Sequence, residues 1–207
     1  MQSNYELLHT ITFYVLYAAL ALATFVVVER LIFYTRTARL AKQLLAAIPH
    51  DINRPDELPA GLLERDGVPT EAVREMLAWR NKARSRYELE DSSEAIFIDA
   101  KAKLNRHLWM LDTIVTAAPL LGLLGTILGI IDTFTALAQS GISDPAGVSA
   151  GIGTALFATA LGISVALYGL VFHNAFHERV NRISDYLKIL LIRAGTHEHL
   201  VQLAAAE

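Results

Sequence analysis

The chain of 207 residues contains no cysteine, which excludes a disulfide framework and thiolate chemistry of any kind. Charge is scarce too: 19% of residues are Asp, Glu, Lys or Arg, against 53% hydrophobic. No Lys or Arg precedes Arg30, and none lies between Arg106 and Arg179. The formal net charge is −3, and acids and bases are nearly balanced over positions 29–111, so nothing marks a nucleic-acid surface. Gly-rich phosphate cradles, metal-spaced Cys/His sets and nucleophile elbows are missing. No residue set combines a nucleophile with a base, so the chain does not read as an enzyme; neither a catalytic residue, a cofactor nor a bound metal is expected. The close pair His197 and His199 around Glu198 reads as part of a solvated tail.

What the chain does have is three runs without a charged residue, at 10–28, 113–131 and 148–172. A helix needs about 20 apolar residues to cross a bilayer core about 30 Å thick, so each run is long enough for one crossing. Fourteen of the 18 Lys and Arg fall between the first two runs, and the other four follow the third. The positive-inside rule then places the N-terminus outside the cytoplasm and the C-terminus within it. The first run has no basic leader and no small-residue cleavage site after it, so it reads as a retained span.

The expected organisation is an all-α membrane protein with long cytoplasmic helical extensions. It comprises a periplasmic N-terminus (1–9), transmembrane helices at 10–28, 111–137 and 148–172, a cytoplasmic helical region (29–110), a periplasmic loop (138–147) and a cytoplasmic C-terminal helix and tail (173–207). Good helix formers at 37–45 predict that the first span continues as one helix. Pro49, Pro55 and Pro59 predict a turn. Thr70 followed by Glu71 reads as an N-cap for a helix running towards Arg86. A further helix, starting near Ser92 or Ser93, is expected to pass through Ile96, Ala100, Leu104 and Leu108 into the second span.

Inside the spans, small residues recur at helical spacing. Gly125 and Gly129 share a face of the second span, and Gly122 and Pro119 precede them. The third span places Ala150, Thr154, Ala158, Gly162 and Ala166 at four-residue steps, with Gly151, Ala155 and Thr159 on the adjoining row and bulky Leu156, Ile163 and Leu167 opposite. Small faces permit close helix approach. Thr126, Thr154 and Thr159 dot these faces with hydroxyls, which can hold water or a cation without the cost of a buried charge.

The segments Ala118-Pro119-Leu120-Leu121-Gly122-Leu123-Leu124-Gly125-Thr126-Ile127-Leu128-Gly129-Ile130 and Gly151-Ile152-Gly153-Thr154-Ala155-Leu156-Phe157-Ala158-Thr159-Ala160-Leu161-Gly162-Ile163 resemble the paired signatures of the MotA/TolQ/ExbB proton-channel family, and ExbB and TolQ most. The resemblance runs from the first span to about Arg193. It implies a homopentameric ring in the bacterial inner membrane, enclosing a dimer of ExbD/TolR-type single-span proteins whose membrane aspartate carries the proton. It further implies a TonB-like protein that passes work to outer-membrane uptake. On this resemblance the family's threonines fall on Thr126 and Thr159, with Thr154 also on the ion pathway. Pro119, Gly122, Gly125, Gly129, Gly151, Ala155, Ala158 and Gly162 then serve helix packing and partner contact. Many ExbB and TolQ proteins carry a glutamate where this chain has Thr154. Proton carriage would rest on the partner's acid, with H⁺ the expected ion and Na⁺ the alternative. A TolQ-like envelope-integrity motor, a MotA-like stator and a passive membrane scaffold are the rival readings.

Overall fold

A computed structural model describes residues 2–48, 61–80, 82–83, 85–140 and 145–195. Among these the regular elements are all α-helices: α1 (Gln2–Ala47), α2 (Val68–Arg80), α3 (Arg86–Asn105), α4 (Leu108–Ser140) and α5 (Pro145–Gly195). Three stretches, Leu7–Ala47, Leu108–Gln139 and Pro145–Gly195, are helical, long and apolar enough to cross a membrane. The first span does continue as one helix, through Ala47. The proline-rich turn at 49–59 and the histidines 197 and 199 lie outside the described residues.

The chain divides into two compact units, Met1–Glu29 with His107–Ala175, and Arg30–Arg106 with Phe176–Glu207. In the first unit, a side chain added at Gly125 would meet Thr12, and one at Gly129 would meet His9. Against α5, Gly122 meets Gly162 and Thr133 meets Gly151. Residue numbers rise along one helix as they fall along its neighbour, so α4 runs antiparallel to α1 and α5. The seam is made of small side chains, with Ala118, Ala155 and Ala158 buried. Bulky residues face outward on all three helices: Phe25, Leu120 and Val171 are each about two-thirds exposed. An apolar outer surface combined with a small-residue seam suits helices solvated by hydrocarbon, where close packing rather than water exclusion drives association. Pro119 lies inside α4. Its missing N–H leaves the carbonyl of Val115 without its helical donor.

The second unit has a more ordinary apolar core, in which Tyr34, Met76, Leu104, Phe176 and Leu187 are fully buried. The Tyr34 hydroxyl donates to the carbonyl of Leu104 (2.9 Å), and its ring packs on Phe176 with centroids 5.5 Å apart. Two arginines close helix ends whose last carbonyls have no intrahelical donor. Arg193 donates to the carbonyls of Leu45 (3.1 Å) and Ile48 (2.9 Å) at the end of α1. Arg80 donates to the Ala194 carbonyl (3.4 Å) at the end of α5. Burial pushes the Arg80 guanidinium below its usual pKa, yet an arginine stays a cation there.

Four boundaries differ from the sequence expectation. Thr70 is not an N-cap: the Glu71 N–H bonds to the Gly67 carbonyl (3.0 Å), so α2 starts at Val68 and the Thr70 side chain is fully buried. Pro69 then sits in the first turn, where a missing N–H is harmless. This helix stops at Arg80 rather than near Arg86. The next begins at Arg86, not at Ser92 or Ser93, because Ser85 accepts from the Glu88 N–H (3.2 Å) as its N-cap. Nor does α3 run into the second span. The chain turns at Arg106 and His107, and His107 adopts a left-handed φ of 71° that a residue with a Cβ rarely takes.

Two predictions follow from this packing. A Cβ on Gly162 would lie 2.5 Å from the Ala118 carbonyl oxygen and 3.0 Å from the Gly122 Cα; both are backbone groups that cannot rotate away. Gly162→Val should therefore destabilise the chain by about 3 kcal/mol or more, the upper range for overpacking, seen as a lowered unfolding midpoint in detergent. Lys103 bridges α3 to α2 through Glu71 (2.8 Å) and also pairs with Asp99 (2.9 Å). Hydrogen bonds to Glu71 and then Asp99 raise its pKa above the usual lysine value. Its contribution is thus complete below the unfolded-state pKa and is lost as pH rises through the raised folded value. A Lys103→Met, Glu71→Gln double-mutant cycle should give a coupling of about 0.2–1 kcal/mol at neutral pH, since the pair is partly exposed, fading in strong alkali.

Candidate functional site: a hydroxyl pair at the α4–α5 crossing

Hydroxyls in membrane helices commonly bond back to the carbonyl one turn earlier. Among the described residues Thr12, Thr24, Thr133 and Thr154 do so, donating to Leu8, Leu20, Gly129 and Ala150 at 2.7–2.9 Å. Thr126 and Thr159 behave differently. The Thr126 hydroxyl lies 3.2 Å from its own Gly122 carbonyl and 3.0 Å from the Ala155 carbonyl across the seam. Thr159 in turn reaches the Gly122 carbonyl at 3.2 Å, and the two hydroxyls contact one another directly. Each threonine therefore reaches the carbonyl that the other would use if it bonded back along its own helix.

This exchange requires very close backbones. A Cβ on Gly122 would sit 2.8 Å from the Ala158 oxygen and 3.2 Å from the Gly162 Cα, and one on Gly125 would sit 2.9 Å from the Ala158 Cβ. Gly129 likewise faces Ala155 at 2.9 Å. Gly122, Gly125, Gly129, Ala155, Ala158 and Gly162 thus form the α4–α5 seam itself, with Gly151 extending it to Thr133. Pro119 is partly exposed beside it.

Thr154 is not part of the pair. It is exposed, and its hydroxyl bonds to the Ala150 carbonyl (2.9 Å). Helix geometry explains why: four residues advance about 400°, so a row of four-residue steps drifts about 40° at each step. The row that buries Ala158, Gly162 and Ala166 has left the seam by Thr154, and Thr154 is about 140° from Thr159 around the axis.

Two hydroxyls bring two protons to a set of acceptors that includes two carbonyls and each other's oxygen. Only some of these bonds can exist at once, so the pair has alternative arrangements of similar geometry. It can orient or pass a proton through exchanging hydrogen bonds. A threonine hydroxyl does not ionise near neutral pH, so the pair cannot store one. Asp112 and Asp132 lie towards the two ends of α4, one exposed and the other half-buried, and no acid lies between them on α4 or within 146–177 on α5. Among the described residues no group of three or more His, Asp or Glu could hold a metal ion. The sequence alone missed His9 and Thr12 on α1, whose side chains pack directly against Gly129 and Gly125.

Comparison with known proteins gives the family. The model of the MotA/TolQ/ExbB proton channel family matches residues 64–189. An ExbB homologue of Methanothermobacter thermautotrophicus is 35% identical over 147 residues, covering 65% of this chain and 51% of the relative. The biopolymer transport protein ExbB of Aquifex aeolicus is 37% identical over 97 residues, 46% of this chain and 66% of the relative. Salmonella typhimurium ExbB is 29% identical over 140 residues, 68% of this chain and 50% of its own length. The chain spans about half the length of the Methanothermobacter and Salmonella relatives. With well over half of its residues matched and three apolar helices each long enough to span a bilayer, this multi-pass membrane protein belongs to the MotA/TolQ/ExbB proton channel family.

Proposed function

We propose that this chain is the ring-forming subunit of a proton-driven motor of the inner membrane, acting with an ExbD/TolR-like single-span partner to energise TonB-dependent transport across the outer membrane. In this reading five copies surround a partner dimer, with membrane lipids outside. The N-terminus and the 138–147 link face the periplasm, and residues 29–110 and 173–207 lie in the cytoplasm, following the placement of all 18 Lys and Arg. The observation that carries the proposal is the reciprocal bonding of Thr126 and Thr159. It is a polar element with exchangeable hydrogen bonds at the centre of an apolar span, and it has no acid of its own.

The mechanism follows from that deficiency. A proton descending the potential needs a group that binds it mid-membrane, and the partner's carboxylate supplies one. The threonine pair offers donors and acceptors beside the path, and the small-residue surface around Gly153 and Thr154, where a Cβ on Gly153 would meet nothing, leaves room for another helix. Each charge crossing 100 mV releases about 2.3 kcal/mol, so a few protons suffice to remodel a protein contact. Members named ExbB, described as biopolymer transport proteins, favour the uptake role over the envelope-integrity and flagellar ones.

The chain co-reconstituted with its partner in liposomes should show potential-driven proton uptake with no requirement for Na⁺; flux that needs Na⁺ would reassign the ion. Thr159→Val should abolish that flux while the complex still assembles, because one interhelical hydrogen bond in a membrane is worth only about 0.6–1.7 kcal/mol. Thr159→Ser, which keeps the hydroxyl, should retain it. Full proton flux in the valine variant would remove Thr159 from the path.

A further inference from the structure

We propose that His9 is a proton-relaying residue that feeds the threonine pair from the end of the first unit where α1 begins and α4 ends; this rests on the proton-channel reading above. The Nε2 atom of His9 is buried and has no hydrogen-bond partner among the described residues. It is aimed at α4, 3.0 Å from where a Cβ of Gly129 would stand. The ring is held edge-on by Phe13, with centroids 5.1 Å apart, and Phe13 in turn stacks on Phe157 of α5 at 6.2 Å. All three helices of the unit thus fix one imidazole against a glycine.

An unpartnered polar nitrogen inside an apolar seam is costly, and a residue kept only for packing would carry no such atom. The location accounts for it. Gly129 is three residues from Thr126, about 4.5 Å of helix rise, and the Ala155 methyl against Gly129 belongs to the residue whose carbonyl receives the Thr126 hydroxyl. Next outward, the Thr133 hydroxyl sits against Gly151. His9 therefore lies between Thr133 and the Thr126–Thr159 pair in a column of polar groups along the seam.

Imidazole suits this position because it both accepts and donates at neutral pH. It takes a proton from the aqueous end to become imidazolium, then releases one inward and returns to the neutral ring, with no net change in the residue. The nearest ionisable positions are Tyr5, Glu6 and Tyr14 along α1 and Asp132 on α4, and α5 offers none from 146 to 167.

The test uses the full complex and the full chain. In liposomes with the partner, His9→Gln should lower proton flux on the order of a hundredfold, the usual scale for losing a positioned proton-transfer group. Its unfolding midpoint should stay at the wild-type value. Wild-type flux in this variant would overturn the relay. If the unmodified complex carries no flux, the motor reading fails, and His9 is decided by ¹⁵N-histidine spectra of the chain in bilayers, assigned by the signal that His9→Gln removes. A ring whose N–H exchanges with water supports the relay. One locked as a single neutral tautomer, away from water, refutes it.

Discussion

The first unit depends on one contact, the near-touching backbones at Gly122 and Gly162. With Cα-level approach there, the two threonines one turn away on each helix come within reach of each other's carbonyls. A pair of alanines at the glycine positions would separate α4 and α5, and each hydroxyl would fall back on its own helix, as Thr133 and Thr154 do. Glycine is usually disfavoured within helices because it forfeits backbone entropy. Here the loss is offset by a contact that no other residue can make, in a solvent where helix association must come from packing.

That contact also explains why the seam reads differently from a soluble core. The second unit excludes water with Tyr34, Phe176 and leucines, and its helix ends are closed by arginine donors. The first unit buries alanine and glycine and turns its large side chains outward. Two solvation regimes therefore occur along single helices: α1 and α5 each contribute one segment to each unit, and their composition changes near Glu29 and Ala175.

Much of this was legible in the sequence because it follows from one-dimensional rules. Charge-free runs gave the three long apolar helices, and four-residue spacing gave the small faces. Legibility failed where the rule was local and ambiguous. Thr70 with Glu71 looked like a helix start, but the Gly67-Val68-Pro69 segment had the stronger signal, a proline fitted for a first turn. Ser85 and Glu88 formed a capping pattern seven residues before the expected start. The break at His107 has no glycine or proline to announce it, so only the structure reveals it. At the site, Thr126 and Thr159 lie on the small-residue faces that the spacing shows, but the drift that carries Thr154 off the seam emerges only when rows of four are laid on a helix of 3.6. The packing of His9 on Gly129 joins residues 120 apart in the chain, and no periodicity reports it.

The absence of an acid mid-span has a physical consequence for the proposed motor. A carboxylate on the ring subunit would occur in every copy, and each would need a counter-charge or a proton to tolerate hydrocarbon. A subunit whose spans carry no mid-membrane carboxylate avoids that cost, and in the proposed motor the carboxylate that binds the proton mid-membrane belongs to a different chain. Occupancy of that group then differs among otherwise equivalent ring positions, according to which subunit it faces. In the proposed assembly of five subunits around a partner dimer, relative rotation of ring and partner would couple to protonation because the two differ in number, and the small residues of the seam would set how little side-chain rearrangement each step requires.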